Sequence, residues 1–167
     1  ARSSFLPDVL TRIGEALGLS AQARRQALAG SLLLSADNGH AVHPNFPEKA
    51  DPANKVYPNG GVVIKYSANQ KYTTTGLTAG LFQALCQKAG VPVQVFANRA
   101  DEPGGSTLGN LLGHQVSIPM VDIGMAQLAM HSCFETMGSR DVEAFVRAVR
   151  ACYESSLRFT PEGVALR

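Results

Sequence analysis

The chain has 167 residues, of which 45% are hydrophobic and 17% are charged. That length is enough for a domain with a substantial core, and the composition is that of a globular chain rather than a disordered one. The net charge of only +2 and the absence of an apolar run near the ~20 residues that span a bilayer argue against a nucleic-acid or a membrane partner.

The first thirty residues are predicted to form two helices. Apolar side chains recur at helical spacing over residues 5–17, with Pro7 in the first turn and Gly18 directly after the end. Ser20 is predicted to cap a second, more polar helix over residues 21–28.

Strands and helices are predicted to alternate in the middle of the chain. The apolar run 32–36 is typical of a buried strand, and the segment 44–61, which contains four prolines, is predicted to be a long and therefore functional loop. A second strand is predicted over 61–66, a helix over 75–89 and a third strand over 93–97.

The last third of the sequence continues this pattern. A tight turn at 104–107 is predicted to lead into a short helix at 108–112, followed by a fourth strand over 117–124. Ser139 is predicted to cap a long final helix, and the tail 155–167 has the weak alternation of a terminal strand. This alternation predicts an α/β fold, specifically a three-layer α/β/α sandwich.

One carboxylate and two imidazoles lie close together directly after the first predicted strand. They belong to Asp37, His40 and His43. Aspartate oxygen and imidazole nitrogen are natural zinc ligands, and a site at the end of a strand is common in α/β sheets. The spacing matches no standard zinc motif, so a turn capped by Asp37 with ordinary loop histidines is the alternative.

A third histidine of interest, His131, follows the fourth predicted strand. It is either a metal ligand or a histidine that packs in the core. Cys133 lies beside it, which leaves a Cys–His nucleophile open, whereas Cys86 and Cys152 fall on buried helix faces. Three widely spaced cysteines suit reduced thiols, and we therefore expect a cytoplasmic protein.

Three further features could contribute to a binding site. Lys65, within an apolar strand, either reaches solvent at a sheet edge or projects into a cleft towards an anionic group. Tyr72 could donate a hydrogen bond or simply pack over the loop. The segment 104–109 could present backbone N–H groups to a carboxylate or an oxyanion.

Taken together, these stretches resemble one family. The chain is similar over almost its whole length to the aspartyl aminopeptidases, metallopeptidase family eighteen. Six short motifs follow in the order seen in that family: Ser35-x-Asp37-x-x-His40-Ala41-x-His43-Pro44-Asn45, Val63-Ile64-Lys65, Gln70-Lys71-Tyr72, Arg99-x-Asp101 with Gly105-Ser106-Thr107-Leu108-Gly109, Val121-Asp122-Ile123-Gly124, and Met130-His131-Ser132.

The resemblance implies roles for five of these residues. Members of the family are dinuclear zinc aminopeptidases that typically assemble as a tetrahedral dodecamer. By resemblance, Asp37 is a ligand of one metal ion and His131 is a ligand of the other. Asp37, His40, Lys65 and Tyr72 would line the substrate site. Two zinc ions are expected per complete subunit, and cobalt or manganese could take their place.

The resemblance also implies that residues 1–167 are the C-terminal portion of a catalytic domain. The family's Glu-Glu-x-Gly-Ser motif precedes a helix that resembles the one beginning at Ser3-Ser4-Phe5-Leu6. The general-base glutamate, its neighbouring ligand, the bridging aspartate, the first histidine ligand and an inserted dimerisation domain are therefore expected upstream. No catalytic residue is expected within the chain. Departures such as Asn38-Gly39 in place of Met-Ala indicate a bacterial sub-branch.

The expected function is zinc-dependent removal of the N-terminal residue from peptides, and an acidic residue is one candidate for that position. The attacking group would be a water activated by two metal ions, in a homo-oligomeric enzyme, and these residues alone are expected to be inactive. Two alternatives stay open at this point. The chain could be a non-catalytic assembly or peptide-binding domain, or a thiol hydrolase that uses Cys133 and His131.

Overall fold

The computed structural model describes residues 2–161 and 163–166. The helices are α1 (Phe5–Ala16), α2 (Ala21–Ala29), α3 (Gly76–Lys88), α4 (Leu108–Gly113) and α5 (Ser139–Tyr153), with a 3-10 turn at Pro47–Lys49. The strands are β1 (Leu33–Ala36), β2 (Gly39–His40), β3 (Val62–Tyr66), β4 (Val93–Ala97), β5 (Met120–Gly124), β6 (Ala126–Leu128), β7 (Thr136–Met137), β8 (Leu157–Thr160) and β9 (Gly163–Leu166).

Local capping explains where α2 and α3 begin, whereas Ser139, the predicted cap of the last helix, is instead the first residue of α5 and follows the N-cap Gly138. The Ser20 hydroxyl accepts a hydrogen bond from the N–H of Ala23 at 3.1 Å, which satisfies one of the unpaired donors at the start of α2. At α3, Thr75 and Thr78 form a reciprocal capping box. The chain leaves α3 through Gly90, whose φ of 62° lies in the left-handed region that glycine adopts without strain.

A mixed four-stranded sheet forms the centre of the fold. Its strand order is β1-β5-β3-β4, so that β5 and β3 lie in the interior. β1 runs parallel to β5 and β3 runs parallel to β4, whereas β3 and β5 are antiparallel. The interior position of β3 removes the possibility that Lys65 reaches solvent at a sheet edge.

The two faces of this sheet carry different layers. On one face, strand residues such as Ile64 and Ile123 form the main core with α3 and α5, including Phe82 and Ala148. Burial of such side chains is the main stabilising contribution, at about 25 cal/mol per Å² of apolar surface. On the opposite face lie α4, tied to β1 by a hydrogen bond from the Gly109 N–H to the Ser35 hydroxyl, and a second, smaller cluster of buried residues.

Two small sheets complete the structure. β2 pairs with β6 in parallel, and β6 pairs with β7 in antiparallel orientation. The strands β8 and β9 form an antiparallel hairpin at the end of the chain. No helix within residues 2–161 and 163–166 combines the length and the apolar character needed to cross a membrane.

The α/β class predicted from the sequence is confirmed, with helices against both faces of the central sheet. Two details differ. The fourth predicted strand begins at Met120 rather than at residue 117, and residues 103–107 are irregular instead of forming a tight turn. The predicted terminal strand is a hairpin, and its positions Glu162 and Arg167 lie outside the described residues.

Candidate active site

A cavity of about 360 Å³ lies over the sheet face opposite α3 and α5. All five residues to which the family resemblance assigned metal or substrate contacts line it, namely Asp37, His40, Lys65, Tyr72 and His131. Part of the remaining wall is the irregular segment 102–107. A separate apolar groove between α1 and α2 contains none of these residues. The structure thus brings together side chains that are up to ninety-four positions apart in the sequence.

Lys65 provides a buried positive charge in this cavity. Its side chain is 2% exposed, and its ammonium donates to Oδ2 of Asp37 and to the carbonyl oxygen of Asn38, each at 3.3 Å. The ammonium also lies 4.9 Å from the centroid of the Tyr72 ring, within the range of a cation–π contact. Burial lowers the pKa of Lys65, and the charges of Asp37 and Asp122 partly oppose that shift.

Asp37 lies on a turn that folds back over the sheet after β1. Its N–H donates to the carbonyl of Ile123 on the neighbouring strand. Gly124 lies so close to this turn that a Cβ there would overlap the Asp37 carbonyl oxygen. These contacts put the Asp37 carboxylate, which is 46% exposed, at the rim of the cavity.

Asn38 connects this turn to β6 and was not identified from the sequence. Its side-chain amide donates to Oε1 of Gln127 at 2.6 Å, and its side-chain oxygen accepts from the N–H of Met125 at 3.0 Å. Because β6 leads directly towards His131, these hydrogen bonds connect the turn that carries Asp37 to the segment that carries His131. No periodic pattern could have revealed it, since Asn38 and Gln127 are 89 positions apart.

His40 and His131 approach the cavity from different segments. The shielding of the His40 ring from water lowers its pKa, and the nearby His131 and Lys65 add to that shift, while Asp37 opposes it. His131 has a φ of 67° and Ala129 has a φ of 55°, both in the left-handed region. Such conformations are costly for residues other than glycine and cluster at functional sites. The His131 N–H donates to Oε1 of Glu135 at 2.6 Å, which helps to hold the turn.

Tyr72 forms part of the cavity wall and is 7% exposed. Its phenolic oxygen accepts a hydrogen bond from Nδ2 of Asn98 at 2.9 Å, and its ring packs against Phe96. Burial raises the pKa of Tyr72, so its hydroxyl keeps its proton at neutral pH. The packing alternative from the sequence analysis therefore applies, whereas the hydroxyl accepts a hydrogen bond here and its role as a donor stays a prediction.

The donors in this cavity are of the right chemical type for zinc but too few for a complete site. Within the described ranges, no three His, Cys, Asp or Glu side chains converge so as to hold a metal ion. A structural or catalytic zinc takes four or five ligands, of which at least three usually come from protein. Asp37 and His131 could therefore supply only part of a zinc site.

The remaining residues considered in the sequence analysis lie elsewhere. His43 is exposed and does not line the cavity. Cys133 is exposed and is likewise not part of the cavity wall. Burial raises the pKa of Cys86 to about 12 and also raises that of Cys152, which makes both thiols poor nucleophiles at neutral pH.

Asp37 and His131 give this cavity oxygen and nitrogen donors of the kind that bind zinc, so the site fits part of a zinc metalloenzyme. Comparison with known proteins defines this class more closely. The family model of the aminopeptidase I zinc metalloproteases (M18) matches residues 1–153, and the chain belongs to this family. The resemblance inferred from the six motifs is therefore confirmed.

Individual relatives agree with the family assignment. The chain is 45% identical over 157 residues to the probable M18 family aminopeptidase 2 of Mycobacterium leprae (strain TN), covering 94% of this chain and 37% of that protein. It is similar, with a TM-score of 0.87 and 41% identity, to a chain in a cryo-EM structure of the Ape4 and Nbr1 complex, covering 90% and 28% of the two chains. The S. cerevisiae mApe1 dodecamer gives a TM-score of 0.78 and 28% identity, with 92% and 33% covered. The chain thus spans about a third of the length of these relatives.

Proposed function

We propose that this chain is the C-terminal portion of the catalytic domain of a zinc-dependent aminopeptidase that removes the N-terminal residue from peptides. The observation that carries the proposal is the convergence of Asp37, His131 and the buried Lys65 on one cavity, in a chain of the M18 family. We infer that the general base and the other metal ligands come from a part of the protein outside these residues, because the described residues hold too few ligands.

We further propose a role for each residue in this cavity. Asp37 would bind one of two zinc ions and His131 the other, with cobalt or manganese as replacements. The chemistry supplied by a bound zinc pair is a water of lowered pKa and a polarised scissile carbonyl. The neutral or protonated ring of His40 would donate a hydrogen bond to the oxyanion that forms on that carbonyl.

Lys65 and Tyr72 would recognise the substrate rather than take part in proton transfer. A buried ammonium is a strong partner for an anion, because a charge-assisted hydrogen bond gains strength where water is excluded. We therefore infer that Lys65 binds the side-chain carboxylate of an acidic N-terminal residue. The protonated Tyr72 hydroxyl, held by Asn98, would donate a further hydrogen bond to the same substrate.

Assembly and compartment are part of the same proposal. A homo-oligomer is favoured, since one of the similar structures is that of a dodecamer. The three cysteines are free thiols, which suits the reducing cytoplasm. Neither a nucleic acid nor a membrane is proposed as a partner.

Metal content and chelation test this function in the full-length protein. We expect two zinc ions per subunit, loss of peptide hydrolysis on dialysis against a chelator, and recovery on addition of zinc. Alkylation of Cys133 should leave hydrolysis intact, because this thiol does not line the cavity. Hydrolysis that survives chelation but not alkylation would instead support the thiol hydrolase that uses Cys133 and His131.

The isolated 167-residue chain provides a second test. It should fold and yet release no N-terminal amino acid, because its own side chains cannot complete a metal site. One specific observation favours a second function for the isolated chain, that of a non-catalytic peptide-binding domain: its cavity keeps a buried cation without a complete metal site. Chelator-sensitive hydrolysis by the isolated chain would contradict the inference that the other metal ligands lie outside these residues. It would also contradict this second function.

A further inference from the structure

We propose that Asp122 is a positioning residue that holds Tyr72 in the cavity wall through Thr73. Asp122 is fully buried at 0% exposure, in the interior strand β5. Its Oδ2 accepts hydrogen bonds from the N–H of Thr73 at 2.5 Å and from the hydroxyl of Thr73 at 2.7 Å. Its own N–H donates to the hydroxyl of Thr74 at 2.9 Å. One residue of the sheet thus fixes the two residues that follow Tyr72.

The segment 70–74, here called the tyrosine strap, needs such anchors because it lies between β3 and α3 without strand or helix hydrogen bonds of its own. The strap is tied down at successive residues, each to a different part of the protein. The contacts are Asn110 Nδ2 to the Gln70 carbonyl at 2.6 Å, Lys71 Nζ to the Gly104 carbonyl at 2.6 Å, and Asn98 Nδ2 to the Tyr72 hydroxyl at 2.9 Å. Asp122 provides the attachment to the central sheet.

The choice of a carboxylate at position 122 supports a role beyond packing. Oδ1 of Asp122 is buried and has no hydrogen-bond partner among the described residues. A buried, unpaired carboxylate oxygen is costly, and an apolar residue would avoid that cost. Two charge-assisted hydrogen bonds to Thr73, however, are stronger and more directional than neutral ones. Packing alone would not require a buried carboxylate at this position, whereas anchoring the tyrosine strap does.

Accessibility of Tyr72 to nitration by tetranitromethane tests this inference in the full-length protein without reference to activity. In Asp122→Asn and in Thr73→Val, the strap should open more often, and nitration of Tyr72 should rise at least about fivefold. Thr73→Ser keeps both hydrogen bonds and should match the wild type. Tyr57 and Tyr153, which are 50% and 85% exposed, serve as internal references in the same mass spectra.

Thr73→Val keeps the backbone bond and only removes the hydroxyl, so it carries the test if Asp122→Asn does not fold. Unchanged nitration of Tyr72 in a folded Thr73→Val or Asp122→Asn protein would overturn the inference. A rise that is equal at Tyr57, Tyr153 and Tyr72 would also overturn it, because it would indicate a general loosening of the fold.

Kinetics provide a second readout, which rests on the proposed function. If Asp122 acts through Tyr72, Asp122→Asn should raise KM about tenfold with a smaller effect on kcat, and should have little effect in a Tyr72→Phe background. Equal losses in both backgrounds would contradict the inference. A wild-type protein without aminopeptidase activity would refute the proposed function, and the nitration experiment would still decide the role of Asp122.

Discussion

The ammonium of Lys65 lies 3.3 Å from Oδ2 of Asp37, although the two side chains are 2% and 46% exposed. The pair therefore joins a buried cation to a carboxylate at the cavity rim. A carboxylate that coordinates a metal ion shares its negative charge with that ion, which weakens its attraction for a neighbouring ammonium. Under the proposed function, the Lys65 ammonium would then be free to bind a second anion. That anion would be a carboxylate of the substrate in this cavity.

Replacement of Lys65 by methionine should change substrate preference more than overall activity. We expect kcat/KM for peptides with an N-terminal Glu or Asp to fall at least about tenfold, because a buried charge-assisted bond is lost. Peptides with N-terminal Ala should be affected much less. The control is Lys88→Met, which removes an exposed lysine at the end of α3. An equal loss for acidic and neutral substrates would contradict this role of Lys65.

Removal of the proposed metal ligands should change zinc content as well as rate. Asp37→Asn and His131→Ala in the full-length protein should each lower the zinc content by one ion per subunit. Peptide hydrolysis should fall by at least about 10³-fold, since a metal supplies several kcal/mol of transition-state stabilisation. His43→Ala, which alters an exposed histidine outside the cavity, is the matched control. Full zinc occupancy in either ligand variant would exclude that residue as a ligand.

The three thiols should react with iodoacetamide in a fixed order. Cys133 is exposed, Cys152 is partly buried with a raised pKa, and Cys86 is buried with a pKa raised to about 12. The thiolate is the reactive form, so the shift of Cys86 from 9.0 reduces its thiolate fraction by ~10³-fold. Mass spectrometry should therefore find Cys133 labelled first and Cys86 only after unfolding. Early labelling of Cys86 in folded protein would show that the α3 packing is looser than described.

The helices and main strands were predictable because most show apolar periodicity, and because α2 and α3 also have local caps. Ser20 and the stretch after Thr75 begin helices for reasons contained within four residues of sequence. The strands β2 and β7, with two residues each, are too short to show a period. They form because their neighbours in space pair with them, which a linear pattern does not encode.

The members of the candidate site were predictable through family resemblance, but their supports were not. Whether Lys65 lay at an edge or in a cleft depended on the strand order, which the sequence did not determine. Asn38, Gln127 and Asp122 hold the cavity through contacts over 48 to 89 positions. Polar residues of this kind have no local signature, because their partners are fixed only by the tertiary fold.

The pH dependence of Tyr72 ionisation provides a separate check on the burial of the cavity wall. Desolvation disfavours the phenolate and raises the pKa of Tyr72 above the usual 10.0. The absorbance difference between wild type and Tyr72→Phe should therefore develop with a midpoint above pH 10. Because the folded-state pKa is the higher one, the associated stability is present below the unfolded-state pKa and is lost as the pH rises through the folded-state pKa. A midpoint below 10 would contradict the burial of this hydroxyl.

The Asp37 turn lies very close to the sheet, and the same substitution at two glycines tests this close approach. A Cβ at Gly124 would overlap the carbonyl oxygen of Asp37, whereas a Cβ at Gly80 in α3 would meet open space. Gly124→Ala should therefore destabilise the fold by about 1–3 kcal/mol, since backbone must move. Gly80→Ala should stabilise it by about 0.4–1 kcal/mol through a lower entropy of the unfolded chain.

Thermal unfolding of the isolated chain measures both effects. The midpoint should fall for Gly124→Ala and rise for Gly80→Ala, by about 2–4 °C per kcal/mol. In the full-length protein, Gly124→Ala should also weaken zinc binding, because the shift of the turn displaces the Asp37 carboxylate from the cavity rim. If Gly124→Ala unfolded at the wild-type temperature and bound zinc normally, the turn would have to lie farther from β5 than the structure places it. Gly80→Ala makes the comparison specific, because it adds the same methyl group without touching the cavity.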